Sequence, residues 1–150
     1  DFGTAFAKSQ IAAGNSLPTS GNVLFSVNDR DKPKAVALAR RLRDLGFKIV
    51  ATKGTCIEFI KNNIPSEFAL KMNEGRPHIV DAIINKQIDL IVNTAVGRQA
   101  IADSFQIRRS AVDRQVPYVT TMRGAEAVVR AIEALRGKKI SVKPIQAYYK

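Results

Sequence analysis

The 150-residue sequence predicts an α/β domain with three layers: a doubly wound, mainly parallel five-stranded sheet with helices on both faces. Short apolar runs rich in β-branched residues alternate with segments of helical periodicity. That alternation implies crossover connections between parallel strands, whose two faces are both covered. Apolar residues make up 45 % of the chain, which is enough for a core and excludes a disordered protein.

The elements of the first half follow from the spacing of apolar residues. Phe2, Phe6 and Ile11 recur at roughly helical spacing ahead of GNSLPTSG, whose composition is that of a linker. We predict a helix over 2–13, a linker over 14–21, a buried strand over 22–27, an amphipathic helix over 32–45, a strand over 47–51, a short helix over 55–62 and a less regular strand over 68–72.

The second half continues the alternation. Pro77 opens a helix that runs to about Asn85, and Gly137 ends the last strongly periodic segment. We predict further strands over 89–93 and 117–121, helical segments over 97–104 and about 109–115, a helix over 124–135, and an extra extended strand or tail over 139–149.

The net charge of +11 favours anionic partners of some kind. The basic residues are scattered, with neither an aromatic ladder nor zinc-finger spacing, so we expect solvated helix faces and no nucleic-acid partner. We expect no membrane partner, because no apolar run approaches the ~20 residues that a spanning helix needs. The single cysteine, Cys56, makes no internal disulfide or zinc cage and fits a reducing compartment, so we expect a cytoplasmic protein.

Small polar and basic residues collect where the predicted strands end. In open parallel sheets, ligands bind beyond the carboxyl ends of the strands, so these residues are expected to converge on one edge. They are Ser26, Asn28, Asp29, Asp31 and Lys32 after the first strand, Thr52, Lys53, Gly54 and Thr55 after the second, Lys71 after the third, Asn93 and Thr94 after the fourth, and Thr120 and Thr121 after the fifth. Hydroxyls, amides and lysines in this arrangement indicate anion capture.

The stretch VATKGTCIEF at 50–59 has two compatible interpretations. Thr55 and Glu58 have the spacing of a capping box. A helix N-terminus also attracts anions, and Gly54 would let a phosphate approach the backbone. Two lysines and one helix end approach but barely reach the roughly 8 kcal/mol of a micromolar ligand. Contacts to a sugar or base are therefore required, which favours a nucleotide over free phosphate.

The sequence shows no catalytic constellation and no metal site. His78 follows Pro77 at a helix start, where packing or capping is the simpler interpretation. Cys56 lies in the first turn of a helix, which could lower its pKa, although a buried structural side chain is the simpler interpretation. Asp29 and Asp31 could act as acid or base, but they are flanked by basic residues and fit caps or solvated loop charges.

Four segments resemble a known family: GNVLFSVNDRDKPKAVALARRLRDLGFKIVATKGT, KMNEGRPHIVDAI, IVNTAVGRQAIADSFQIRRSAV and PYVTT. Together they resemble the C-terminal allosteric domain of the carbamoyl phosphate synthetase large subunit, over about residues 20–137. The most specific motif is EGRPHI followed by N-T-x-x-G-R and IRRSA. The resemblance implies a methylglyoxal-synthase-like fold over 20–150. It also implies that 1–19 is the tail of a preceding synthetase domain and a linker, and therefore that the chain is a fragment.

The resemblance implies a regulatory role without catalysis by this domain. Bacterial members bind the nucleotide effectors UMP, an inhibitor, and IMP, an activator, and so tune carbamoyl phosphate synthesis for the pyrimidine and arginine pathways. The implied partners are the synthetase domains of the same large subunit and a small glutaminase subunit. No cofactor is implied in this domain, whereas the parent large subunit is an ATP-dependent ligase that uses ATP and a divalent metal ion.

Residue roles follow from the same resemblance. It implies effector-phosphate contacts at Lys32, Thr52, Gly54, Thr55, Lys71 and Asn93, and nucleoside contacts at Ser26 and Thr94. It also implies ornithine contacts at Tyr118, through its backbone, and at Thr120, in a site that a neighbouring domain completes. Ala95 and Val96 replace polar residues of well-studied members, which removes one hydrogen bond to the effector.

The alternative activity is that of a phosphate lyase of the methylglyoxal synthase type, which makes methylglyoxal from dihydroxyacetone phosphate. That enzyme uses carboxylates beside its phosphate site, one of them in a GGD segment. The corresponding stretch here reads EGRP, and Asn28 stands where an early histidine is expected. The resemblance therefore implies a retained phosphate pocket without the lyase chemistry.

Overall fold

The computed structural model describes residues 1–137, 140–141 and 144–148. Its strands are β1 (Asn22–Ser26), β2 (Lys48–Thr52), β3 (Glu67–Ala69), β4 (Leu90–Asn93) and β5 (Tyr118–Val119). Its α-helices are α1 (Phe2–Ala12), α2 (Lys32–Asp44), α3 (Lys53–Lys61), α4 (Ile79–Ile84), α5 (Arg98–Asp113) and α6 (Met122–Gly137). The strands form one sheet in the order β3-β2-β1-β4-β5, and all four strand pairs are parallel.

Helices cover both faces of this sheet, which confirms the predicted doubly wound α/β fold. Side chains alternate along β1, so that Val23 and Phe25 face one layer and Leu24 faces the other. Helices α2, α3 and α6 pack on the first face, where Phe25 and Phe59 meet edge to face with ring centroids 5.2 Å apart. Helices α4 and α5 pack on the second face. Each fully buried large side chain contributes about 1.5–3 kcal/mol through removal from water.

Helix α1 packs against α6 outside the first layer. Gly3 makes this approach possible, because a Cβ at this position would lie 2.5 Å from the carbonyl oxygen of Arg130. The guanidinium of Arg130 lies 5.2 Å from the ring centroid of Phe2 and adds a cation–π contact. The assignment of residues 1–19 to a preceding domain stays a prediction.

The strand order creates a switch point between β1 and β4. The chain builds outward from β1 to β2 and β3, then returns to the other side of β1 to add β4 and β5. The loops that follow β1 and β4 therefore turn to opposite sides and leave a crevice at the carboxyl ends of the strands. Ser26 and Asn93 are register partners at the ends of these two strands, so both lie at the mouth of that crevice.

Three sequence expectations differ from the structure. The segments predicted over 97–104 and 109–115 form one continuous helix, α5. The predicted strand over 68–72 is shorter and ends at Ala69, so Lys71 lies beyond it in a loop. Within the predicted strand or tail over 139–149, Ile145–Tyr148 is a short 3-10 helix, and the rest of that segment falls partly outside the described residues.

Arg41 ties α2 to α6. Its guanidinium forms salt bridges at 2.8 Å with Glu126 and with Glu133, two turns apart on α6. The hydrogen bond and charge of Arg41 lower the pKa of the Glu133 carboxyl below its ordinary value. All three side chains are about one-third or more exposed, so solvent screens these interactions.

We expect Arg41→Ala to lower the free energy of unfolding at pH 7 by about 1 kcal/mol, because partly exposed ion pairs contribute about 0.2–1 kcal/mol each. Chemical denaturation measures this change. The control is Lys48→Ala, since Lys48 reaches Glu67 only at 3.9 Å and both side chains are at least 70 % exposed. The two variants should differ clearly, and equal losses would show that Arg41 does not tie the helices together.

Candidate functional site

A cavity of about 680 Å³ opens at the carboxyl ends of β1, β2 and β4. All eight residues predicted to contact an effector's phosphate or nucleoside line it: Ser26, Lys32, Thr52, Gly54, Thr55, Lys71, Asn93 and Thr94. They come from the last residues of β1, β2 and β4, from the first turns of α2 and α3, and from the two loops that carry Lys71 and Thr94. The sheet topology therefore brings together residues that are up to 68 positions apart in the sequence, since Ser26 and Thr94 both lie here.

Lys32 enters this cavity from the start of α2. Its ammonium donates a hydrogen bond to Asp29 at 2.5 Å, and its side chain is 19 % exposed whereas that of Asp29 is 96 % exposed. The same ammonium lies over the first turn of α3, where a Cβ added to Gly54 would sit 3.0 Å from Nζ. The hydrogen bond and charge of Lys32 lower the pKa of the Asp29 carboxyl. Lys32 is thus held beside a helix N-terminus by one exposed carboxylate.

The N-terminus of α3 carries no side-chain cap. Thr52 is the N-cap residue in an extended conformation, but its hydroxyl makes no capping hydrogen bond. Instead it donates to Ser26 Oγ at 3.4 Å. The capping box predicted at Thr55 and Glu58 is wrong, because α3 begins at Lys53 directly after β2 and places Thr55 inside the first turn. Free backbone amides at an uncapped helix start can receive an anion.

Thr55 lines the cavity and also connects α3 to the backbone directly after β1. Its side chain is 1 % exposed, and its hydroxyl lies 3.4 Å from the amide and 3.5 Å from the carbonyl oxygen of Val27. The backbone of this turn, together with Gly54, is therefore better placed than the Thr55 hydroxyl to meet a ligand.

Asn93 joins the cavity to the neighbouring strand and to α5. Its Nδ2 donates to Ser104 Oγ and to the Tyr118 hydroxyl, both at 2.9 Å. Tyr118 thus lies one hydrogen bond away from the cavity rather than in its lining. Thr120 is exposed and is not a lining residue. Contacts of Tyr118 and Thr120 with ornithine stay a prediction.

Thr94 and Asn28 connect the two loops across the switch point. The Thr94 hydroxyl oxygen accepts hydrogen bonds from the Asn28 amide at 3.1 Å and from Asn28 Nδ2 at 3.0 Å. Asn28 Oδ1 accepts in turn from the Asp31 amide and so caps a 3-10 helix over Asp29–Asp31 that the sequence pattern did not predict. This arrangement orders the loop that leads into Lys32 at the start of α2.

The sequence reasoning missed the wall that α5 contributes. Ala100, Asp103, Ser104 and Ile107 line the cavity from one side of this helix, and Arg30 lines it from the loop after β1. The only available signal was the position of a helix directly after β4, and that signal was weakened because α5 was predicted as two segments. Ala95 and Val96 also line the cavity, so the wall just before α5 offers methyl groups where polar side chains were expected.

Cys56 and His78 have structural roles. The Cys56 side chain is buried, and burial raises the pKa of its thiol, so the alternative of a lowered pKa at the helix start is wrong. His78 caps α4: its Nδ1 accepts from the Asp81 amide at 3.3 Å, and Asp81 accepts from the His78 amide at 2.9 Å. The simpler interpretation of each residue is confirmed.

No group of three or more His, Cys, Asp or Glu side chains is placed to hold a metal ion among the residues with described positions. Across the same residues, every helix is too short or too polar to span a bilayer.

A parallel α/β domain with a basic, polar cavity at its switch point defines the general class of this protein. The family model of the MGS-like domain matches residues 34–120, more than half of the chain. The chain therefore belongs to the MGS-like domain family, in agreement with the resemblance drawn from its sequence.

Curated relatives extend this match. The chain is 49 % identical over 148 residues to the carbamoyl phosphate synthase large chain of Myxococcus xanthus (strain DK1622), and the match covers 99 % of this chain and 14 % of that protein. It is 47 % identical over 150 residues to the carbamoyl phosphate synthase large chain of Archaeoglobus fulgidus, and that match also covers 99 % of this chain and 14 % of that protein. In Aquifex aeolicus (strain VF5), the similar protein is the C-terminal section of the large chain, 44 % identical over 154 residues, which cover 99 % of this chain and 29 % of that protein.

The chain spans about one seventh of the length of the first two relatives, since it covers 14 % of each. The similarity to them therefore concerns a part of a large chain, and one relative is itself named as the C-terminal section.

The lowered pKa of Asp81 allows a test of the capping box that it forms with His78 at the start of α4. The Arg76 guanidinium and the His78 amide lower the pKa of the Asp81 carboxyl to about 2. A folded-state pKa below the unfolded value contributes stability above about pH 4, which is lost as the pH falls toward 2. We expect Asp81→Asn to reduce the acid-dependent loss of stability between about pH 5 and pH 2, measured by urea denaturation at several pH values.

The matched control is Asp113→Asn, which removes an exposed carboxylate at the end of α5. If the two variants lose stability in parallel as the pH falls, the Asp81 carboxylate has no special role in the folded state.

Proposed function

We propose that this chain is the regulatory domain of a carbamoyl phosphate synthase large chain, and that its cavity binds a nucleoside monophosphate of the UMP or IMP type. The phosphate would lie between Lys32, Lys71 and the first turn of α3, within reach of Thr52 and Asn93. Ser26 and Thr94 would face the nucleoside. The single observation that supports this most strongly is the position of the Lys32 ammonium over Gly54.

Two positive features meet at that point. A helix N-terminus carries a partial positive charge, which favours a nearby anion and disfavours a nearby cation. The Lys32 ammonium is nevertheless held there, and among the described residues its ion-pair partner is the exposed Asp29. An anion between the ammonium and the free amides of α3 would satisfy both at once. A phosphate group has the charge and the acceptor oxygens for this arrangement.

The size and lining of the cavity favour a nucleotide over free phosphate. Its volume of about 680 Å³ lies in the range of small-molecule sites and far exceeds the needs of one phosphate. Beyond the basic end, Met72, Ile79 and Ile107 supply apolar walls, and Ser26 and Ser104 supply hydroxyls. A base and a sugar would use these surfaces and add the affinity that the phosphate contacts alone barely reach.

Regulation follows if the ligand changes how the domain packs against the rest of a large chain. A coupling free energy of about 1–3 kcal/mol is typical for allostery and is sufficient. In this proposal the synthetase domains bind ATP and divalent metal, a small subunit supplies ammonia from glutamine, and the product serves the pyrimidine and arginine pathways in the cytoplasm. The names of the relatives support the assignment to a carbamoyl phosphate synthase large chain. The lining and size of the cavity support the binding of a nucleotide effector.

The arrangement of carboxylates does not favour the lyase alternative. In the EGRP stretch, the Glu74 carboxylate accepts a hydrogen bond from the Lys71 amide at 2.8 Å and is engaged within its own turn. Asp29 is paired with Lys32, and Asp103 accepts from Gln99 at 2.9 Å. Each of these carboxylates already has a hydrogen-bonding partner.

We expect the 150-residue chain to bind UMP or IMP, and Lys71→Ala to weaken that binding by about 10- to 100-fold, because one hydrogen bond to a charged group contributes about 1.5–3 kcal/mol. Isothermal titration calorimetry measures both affinities. Lys61→Ala is the matched control, since it removes the same charge at the other end of α3 and should leave the affinity unchanged. Equal binding heats and affinities for the wild-type chain and Lys71→Ala would reject this cavity as the nucleotide site.

The lyase alternative has its own assay. We expect the isolated chain to release no methylglyoxal from dihydroxyacetone phosphate above the rate in buffer, since the carboxylates of Asp29, Glu74 and Asp103 all have hydrogen-bonding partners in the described structure. A colorimetric assay for methylglyoxal checks this. Turnover that disappears in Lys71→Ala would establish the lyase and reject a purely regulatory role.

A further inference from the structure

The outward side of α5 is an apolar surface that nothing in the described part of the chain covers. Ile101, Phe105 and Val112 are exposed to 60 %, 67 % and 67 %, whereas Ile107 and Ala111, further around the helix, are buried. We propose that this surface docks against an acidic, partly apolar surface elsewhere in the same large chain, and that it transmits occupancy of the cavity to that region. This inference rests on the proposed function.

The exposed residues form one stripe along the helix. Positions 101, 105 and 112 are separated by four and seven residues, so they fall on one side of an α-helix, with Arg108 between them. Below we call Ile101, Phe105, Arg108 and Val112 the outer stripe. Single exposed apolar residues are ordinary on a protein surface, but an aligned set with an aromatic residue and an arginine has the composition of an interaction site.

Charge identifies the partner. The exposed arginines Arg98, Arg108, Arg109 and Arg114 are on or directly after α5, and none of them has an ion-pair partner among the described residues. A second copy docked by a twofold axis on this stripe would bring arginines against arginines. A surface with apolar side chains flanked by Asp and Glu would match both the stripe and its rim. The geometry therefore favours an acidic partner surface over self-association.

The same helix contacts the proposed ligand from its other side. Ala100, Asp103, Ser104 and Ile107 line the cavity, and Ser104 Oγ accepts from Asn93 Nδ2 at 2.9 Å. A ligand in contact with these cavity-lining residues and a partner in contact with the outer stripe would touch two different sides of the same helix. Any ligand-dependent shift of α5 would change the fit at the stripe, and by linkage docking would change the affinity for the ligand.

The docking is tested by thiol labelling of the full-length large chain and of the isolated 150-residue chain. Val112→Cys should react with a maleimide about tenfold more slowly in the full-length protein, because a side chain covered by an interface is shielded from the reagent. The readout is mass spectrometry of the peptide that carries the new cysteine. Ile60→Cys on α3, 57 % exposed, is the reference for a side chain outside the stripe. Equal rates at position 112 in the two proteins would overturn the docking.

The coupling is tested by charge reversal at the stripe. In the isolated chain, Phe105→Glu and Arg108→Glu should bind UMP and IMP as the wild type does, because neither side chain lines the cavity. In the full-length enzyme, both should reduce the effect of saturating nucleotide on carbamoyl phosphate formation by about fivefold or more, which is the scale of an allosteric coupling. Arg108→Lys should retain the response, and Ile60→Glu is the matched control.

The outcomes separate the two proposals. Failure of the isolated wild-type chain to bind either nucleotide rejects the proposed function. Normal binding with an undiminished response in Phe105→Glu rejects the role of the stripe and leaves the proposed function standing. An isolated chain that sediments as a dimer, and that Phe105→Glu converts to a monomer, would make the stripe an interface between copies and would overturn the acidic partner.

Discussion

The cavity of this domain depends on one electrostatic constraint: a lysine ammonium is held over the N-terminus of a helix. Lys32 reaches the first turn of α3 because α2 and α3 follow neighbouring strands, β1 and β2, and so begin at the same edge of the sheet. The absence of a side chain at Gly54 leaves the space that the ammonium enters. Among the described residues, the exposed carboxylate of Asp29 is the ion-pair partner that offsets the charge of Lys32 beside the positive end of this helix. The site is thus prepared for negative charge.

The hydrogen bonds around the cavity keep this arrangement rigid. Among the described residues, the buried polar side chains are Thr52, Thr55, Asn93 and Thr94, and all four line the cavity. Each has a hydrogen-bonding partner on another element, and none of the buried side-chain polar atoms in the described part is unsatisfied. Satisfied polar groups at the end of an otherwise apolar core fix the loops in one arrangement, because moving them would leave buried groups without partners.

The fold and the polar residues at the strand ends were accessible from the sequence, whereas the cavity wall formed by α5 and the local boundaries were not. Runs such as NVLFSV and LIVN have only one plausible environment, a sheet covered on both faces, and their order determines the edge at which the polar residues meet. The start of α3 was misplaced because Thr55 and Glu58 have capping spacing although the helix already begins at Lys53. Helix α5 was divided because Ile101 and Phe105 are exposed and disturb the periodicity of its buried side. The sequence alone does not distinguish an apolar residue that is exposed on the surface from one that is buried in the core.

The most direct test of the central claim is a crystal structure of the 150-residue chain grown with UMP or IMP. The account predicts that the phosphate lies between the Lys32 ammonium and the backbone amides of Gly54 and Thr55, with its oxygens within about 2.7–3.2 Å of those nitrogens. It also predicts that the Lys32 ammonium turns from Asp29 toward the phosphate. A nucleotide bound with its phosphate away from the first turn of α3, or no bound nucleotide at saturating concentration, would contradict the account.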